Sequence, residues 1–235
     1  MAAADEQRGV MAPIFVKLIE RLSRQEITAL CDADRMALIP AIHLLAEWRD
    51  KRAYRPFLNL LRRPTHTLDC LLGDSMTETG FRVIAGTFDG DLSPVFAGVL
   101  DTRADIYARS TMMSALVLIA HLNPELRPAI EGFIRCFREN QPTAPTDLLI
   151  GWMETVADLD LVDMSDEVRA LFDHGLIPQS YCDFSAFLGD LQATQEANGN
   201  LGNKRYRQGL ISDSIAELSE WHCYSDAYFE PQRAI

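Results

Sequence analysis

The chain has 235 residues, 48% of them hydrophobic, with a formal net charge of −12. That length buries a sizeable core without metals or disulfides, and the apolar content excludes global disorder. The acidic balance argues against nucleic acid, whose phosphates call for a Lys/Arg surplus, and against anionic membrane surfaces. The five cysteines at 31, 70, 136, 182 and 223 are odd in number and irregular in spacing, so they read as reduced thiols of a cytoplasmic protein. Met1 to Glu6 has no signal-peptide pattern. The longest apolar run, around Ala115 to Ala120, is too short to span a bilayer.

In chain order, residues 1 to 11 read as a frayed tail. Pro13 opens a short helix with Phe15, Leu18, Ile19 and Leu22 inward, and a second is expected from Gln25 to Cys31. Asp34 suits an N-cap for a helix carrying Ile39, Ile42, Leu45 and Trp48, with Pro40 as a kink or a shifted start. A helix from Arg52 to Arg62 turns Tyr54, Phe57, Leu58 and Leu61 inward.

Ser75 and Glu78 have the spacing of a capping box, followed by Phe81, Ile84, Ala85 and Phe88 at helical intervals. Gly90 can end that helix in a left-handed conformation, and Ser93-Pro94 restarts the chain. A long helix from Asp105 to about His121 buries Ile106, Met113, Leu116, Val117 and Ala120. Asn123-Pro124 begins the next, with Ile130, Phe133, Ile134 and Phe137 on one face. After the break at Gln141 to Pro145, the set Leu148, Leu149, Trp152, Val156 and Leu159 is again helical. Short helices follow from Ser165 to Gly175 and from Ser185 to Ala193. A polar linker spans 194–209, and residues 210–235 hold a last amphipathic helix with Ile211, Ile215, Leu218 and Trp221, which docks on the solenoid or a partner subunit.

No segment alternates with period two, so the fold class is all-α. Hairpins recurring at roughly thirty to forty residues predict an α-solenoid over residues 1–193. Asp101 in a turn and Arg109 on the following helix resemble the ladder residues of HEAT repeats. Leu38-Ile39-Pro40, Leu71-Leu72-Gly73-Asp74, Thr77-Glu78, Phe88 to Asp91, Tyr107 to Ser110 and Ile215 to Tyr224 resemble an uncharacterised bacterial family, catalogued as domain of unknown function eleven-eighty-six. The resemblance implies a HEAT-like helical fold and no known activity. The Cys-rich metal-binding tail that some members carry has no counterpart here.

Asp69, Asp74, Glu78, Asp89, Asp91, Asp101 and Asp105 gather near the expected turns. They either cap helices and solvate turns, or bind a divalent cation or a basic protein. The expected partner site is Asp74, Glu78, Asp89 and Asp91, with Asp101 and Arg109 structural. His222, Cys223 and Cys182 do not have the paired spacing of a zinc site. No Gly-rich phosphate loop, HExxH or Gly-x-Ser-x-Gly motif is present, so no cofactor or catalytic residue is expected. The basic run Arg49, Lys51, Arg52, Arg55, Arg62 and Arg63 reads as the solvated face of a hairpin. The expected role is a non-catalytic scaffold binding a protein with a basic surface. The alternatives are a metal-dependent or hydrolytic enzyme using the acidic turn cluster, and an immunity or antitoxin-like protein that binds a basic toxin.

Overall fold

The computed structural model describes residues 1–26, 31–197, 201, 206 and 209–224. Among them are fifteen α-helices and no strand. In order these are α1 (Ala2–Glu6), α2 (Arg8–Leu22), α3 (Asp32–Glu47), α4 (Tyr54–Leu61), α5 (Thr65–Leu71), α6 (Ser75–Glu78), α7 (Gly80–Thr87) and α8 (Ser93–Leu100). They continue with α9 (Ile106–Leu122), α10 (Arg127–Arg135), α11 (Phe137–Asn140), α12 (Thr146–Asp158), α13 (Ser165–Asp173), α14 (Phe184–Glu196) and α15 (Ser214–Ser219).

Neighbours follow a simple rule. α2 packs on α3, α4 on α7, α8 on α9, α10 on α12 and α13 on α14. The second members then pack in series, α3 on α7, α7 on α9, α9 on α12 and α12 on α14. The first members also follow one another: α2 meets α4, α4 meets α8, and Phe96 of α8 stacks on Phe133 of α10 at 4.1 Å. The result is two layers of helices with one apolar core between them, the first members forming the layer here called outer and the second members the layer called inner.

α9 is the centre of this arrangement. Its N-cap Asp105 accepts bonds from the N–H groups of Tyr107 and Ala108 at 2.8 and 3.1 Å, which satisfies donors a bare helix start leaves open. From Thr111 to Ala120 every residue is buried, as befits a helix covered all round rather than on one stripe. The expected inward set holds, except that Ile106 is only half-buried. Close contact between α3 and α7 depends on Gly86, since a Cβ there would sit 3.0 Å from the Ala46 carbonyl oxygen.

Several boundaries differ from expectation for local reasons. The N-terminal tail is ordered: the indole of Trp48 donates to Asp5 at 2.8 Å, and Arg8 donates to the Trp48 carbonyl, so α2 begins before Pro13. Most of the helix expected at Gln25–Cys31 lies outside the described residues, and Gln25, Glu26 and Cys31 themselves are not helical. Asp34 does not cap α3, which starts at Asp32; it pairs with Arg21 instead. Pro40 is carried inside α3. The Ser75 hydroxyl bonds back to the Leu72 carbonyl, so no capping box forms and α6 is one turn, separate from α7. α7 ends at Thr87, before Phe88, whose half-buried ring meets Tyr54 edge-on. Leu92, not Ser93, occupies the N-cap of α8.

Two inner helices end alike. Arg49 after α3 and Asp160 after α12 hold φ at 57° and 55°. In each, the next N–H reaches back to the carbonyl of Leu45 or Val156, the six-to-one bond of a Schellman cap.

The C-terminal segment lies against α3 and α7. Tyr206 is buried edge-on to Phe81, Ile211 joins the core, and Leu218 is buried, while Ile215 points to solvent. The apolar stripe expected there is thus interrupted at Ile215, and α15 spans only six residues. α14 runs to Glu196, three residues past the expected boundary at 193. Much of the linker expected at 194–209 falls outside the described residues.

Candidate functional site

The four acids of the expected partner site do not share one edge. Asp74 and Glu78 precede α7, whereas Asp89 and Asp91 follow it, a separation of about 12 Å at 1.5 Å per residue. Asp89 and Asp91 both pair with Arg55, at 2.8 and 2.7 Å. Their remaining oxygens accept the N–H groups of Asp91 and Ser93. They therefore act as turn-formers leading into α8, in the way short acidic side chains commonly do.

Asp101 takes its partners from Arg62 at 2.6 Å and Arg103 at 3.1 Å. Bonds from Arg103 and then Arg62 hold its carboxyl far below the usual range. The buried Arg109 donates instead to the Val99 carbonyl at 2.7 Å and to Gln141 at 2.9 Å. Gln141 in turn donates to the Leu100 carbonyl, so Arg109 ties two successive hairpins together. Most of the basic run has partners: Arg49 donates to the Ala46 carbonyl, Arg52 pairs with Asp50, Arg55 with Asp89 and Asp91, Arg62 with Asp101, and Arg63 donates to the Gln25 carbonyl.

A different concavity lies on the inner layer between α9 and α12. It holds about 190 Å³, with Ser110, Thr111, Ile150 and Gly151 at its base and Thr77, Tyr107, Asp147, Glu154 and Tyr181 around it. Tyr107 and Tyr181 are 53% and 55% exposed, so aromatic surface stands open to solvent beside two carboxylates. The Tyr181 hydroxyl donates to Glu154 at 3.0 Å. Nearby, burial first, and then Glu154, Asp183 and Asp190, push the Cys182 thiol up. That is the opposite of what a nucleophilic cysteine needs, and it reports a negative field at this end of the inner face. Among the described residues no three His, Cys, Asp or Glu side chains are grouped as metal ligands would be.

The sequence profile of the family described as Protein of unknown function (DUF1186) matches residues 1–225. The chain belongs to that family. Neither the curated proteins nor the solved structures searched contain a match. In this DUF1186 chain no described helix is long and apolar enough to cross a membrane.

The groove residues Tyr107, Asp147, Glu154 and Tyr181 are absent from the expected site. The available signal was negative: Tyr107 and Glu154 fall off the apolar stripes of α9 and α12. What places them together is helix adjacency.

His43 is the one histidine fully buried among the described residues. Its Nδ1 lies 2.8 Å from the Ile39 carbonyl, and the Trp221 ring meets it edge-on with centroids 5.6 Å apart. Burial pulls its pKa below the ordinary 6.5, with Arg82 adding to the drop and the Ile39 bond and Glu217 opposing it. The unfolded chain therefore binds this proton more readily, and stability falls as pH drops through 6.5. The thermal midpoint should be lower at about pH 5.5 than at about pH 7.5, and His43→Phe should flatten that difference. An unchanged slope in the variant would assign the effect to another group.

Proposed function

We propose that the chain is a non-catalytic protein-binding scaffold of HEAT-like hairpins, whose inner layer offers the α9–α12 groove to a basic segment of a partner. Support for the repeat reading comes from bonds that recur at separations of 32 to 40 residues. Arg8 to Trp48 spans 40 residues, Arg55 to Asp89 34, Arg62 to Asp101 39, Arg109 to Gln141 32 and Arg127 to Leu159 32. Such separations suit stacked units of roughly thirty to forty residues.

The observation that carries the binding reading is the pairing of half-exposed Tyr107 and Tyr181 with Asp147 and Glu154 in one concavity. Tyrosine faces attract Lys and Arg cations, and the carboxylates supply charge complementarity. Glu78 follows Thr77 at the rim, and the Thr77 hydroxyl donates to the Asp74 carbonyl at 3.1 Å, so both acids border the groove and stay within the proposed site. Asp89 and Asp91, which share the one guanidinium of Arg55 at the other end of α7, do not. A fluorescein-labelled oligo-arginine peptide tests this. Asp147→Lys with Glu154→Lys should weaken its binding by about tenfold or more, while Asp89→Lys with Asp91→Lys, an equal change of charge, should weaken it less. Equal weakening by both pairs would mean that the groove is not the site.

A further inference from the structure

The inner layer has a second feature, at its N-terminal end, where residues 209–224 lie across α3 and α7. Two of their contacts involve backbone groups of the segment and side chains of the face beneath. Nε of the buried Arg82 donates to the Gly209 carbonyl at 2.8 Å, and Glu47 accepts the Ser214 N–H at 2.9 Å. Contacts of this kind are kept by any segment with the same backbone path, whatever its side chains. Side-chain selection comes from Glu217, which pairs with Arg82, and from Leu218 and Ile211, which fill apolar space.

Two buried polar atoms of this contact, the Ser214 hydroxyl and His43 Nε2, have no partner among the described residues. His43 is neutral in its buried site, and with Nδ1–H given to the Ile39 carbonyl its Nε2 is a bare acceptor. That nitrogen is buried with no partner among the described residues; the segment sets the Trp221 ring edge-on to the imidazole and brings the Glu217 charge near it. Buried polar atoms are ordinarily satisfied, so the segment is an imperfect match to the face it covers.

We propose that the inner face of α3 and α7 is a peptide-docking cleft, and that residues 209–224 are its displaceable resident. The partner that fits it presents a short helix with a carboxylate for Arg82 and a hydroxyl or amide donor for His43. This cleft is separate from the α9–α12 groove, and the proposal stands or falls independently of it.

The probe is a fluorescein-labelled peptide of residues 209–224, titrated into the full-length chain. In the wild type the cleft is filled and binding is weak. In full-length Glu217→Lys, like charge against Arg82 expels the segment, and the wild-type peptide should bind about tenfold tighter or more. A peptide itself carrying Glu217→Lys should bind neither chain. A variant that keeps its helical circular dichroism and yet gains no affinity for the peptide overturns the proposal, because the segment is then a fixed part of the core. If the variant fails to fold, hydrogen exchange on the wild type decides. Amides of α15 exchanging about a hundredfold faster than those of α9 support local opening, and equal rates overturn it.

Discussion

Replacing Trp152 with alanine is expected to lower stability by about 3–5 kcal/mol, since it is the largest fully buried side chain among the described residues. Trp152 is fully buried, on the helix that joins α9 to α14, and its indole donates to the Ile134 carbonyl at 2.9 Å. Truncation opens a cavity between hairpins and removes that donor at once. For a chain of this size the midpoint should fall by roughly 10 °C. Trp152→Phe keeps most of the packing and should lose much less. Thermal denaturation followed by circular dichroism measures both, and a loss below about 1 kcal/mol for the alanine variant would mean that α12 does not pack as described.

The second large effect is expected at Arg109. Its two bonds come from two different nitrogens, Nε to the Val99 carbonyl and Nη2 to Gln141. Bonds to a charged group contribute about 1.5–3 kcal/mol each, and their loss leaves buried acceptors unpaired. Arg109→Ala should therefore cost about 3 kcal/mol or more. Arg109→Lys should rescue little, because an ammonium does not reproduce the planar fork. Full rescue by lysine would show that charge, rather than the two directed bonds, is what the site requires.

The expectation at Arg109 illustrates what was legible in the sequence. The residue itself was legible, as the Arg of a pair that resembles the HEAT ladder, although Asp101 pairs with Arg62 and Arg103. Its partner was not, because Gln141 lies 32 residues away and nothing local marks it. Helices were legible wherever apolar spacing and a strong cap coincided, as at Asp105. They were misjudged where a side chain found a different bond, as when Ser75 turned back to Leu72. The tail was read as frayed because its anchor, Trp48, is 43 residues from Asp5. The acidic turns were visible as composition, yet composition could not show that Arg55 pairs with two of them. The groove was least legible of all, since Tyr107 and Glu154 look like ordinary surface residues until α9 and α12 are set side by side.

The account rests most on the claim that the α9–α12 groove takes a basic segment. The oligo-arginine titration tests it most directly when run on the wild type, on Tyr107→Ala and on the Asp147→Lys, Glu154→Lys pair at low and at physiological salt. The account predicts that affinity falls with salt in the wild type, as screening weakens opposed charges. It predicts further that the charge-reversed chain binds weakly at both salts, and that Tyr107→Ala weakens binding at both with all charges in place. Affinity indifferent to Tyr107 and to the charge-reversed pair, and lowered only by salt, would contradict it, because binding would then follow the net charge of −12 rather than the groove.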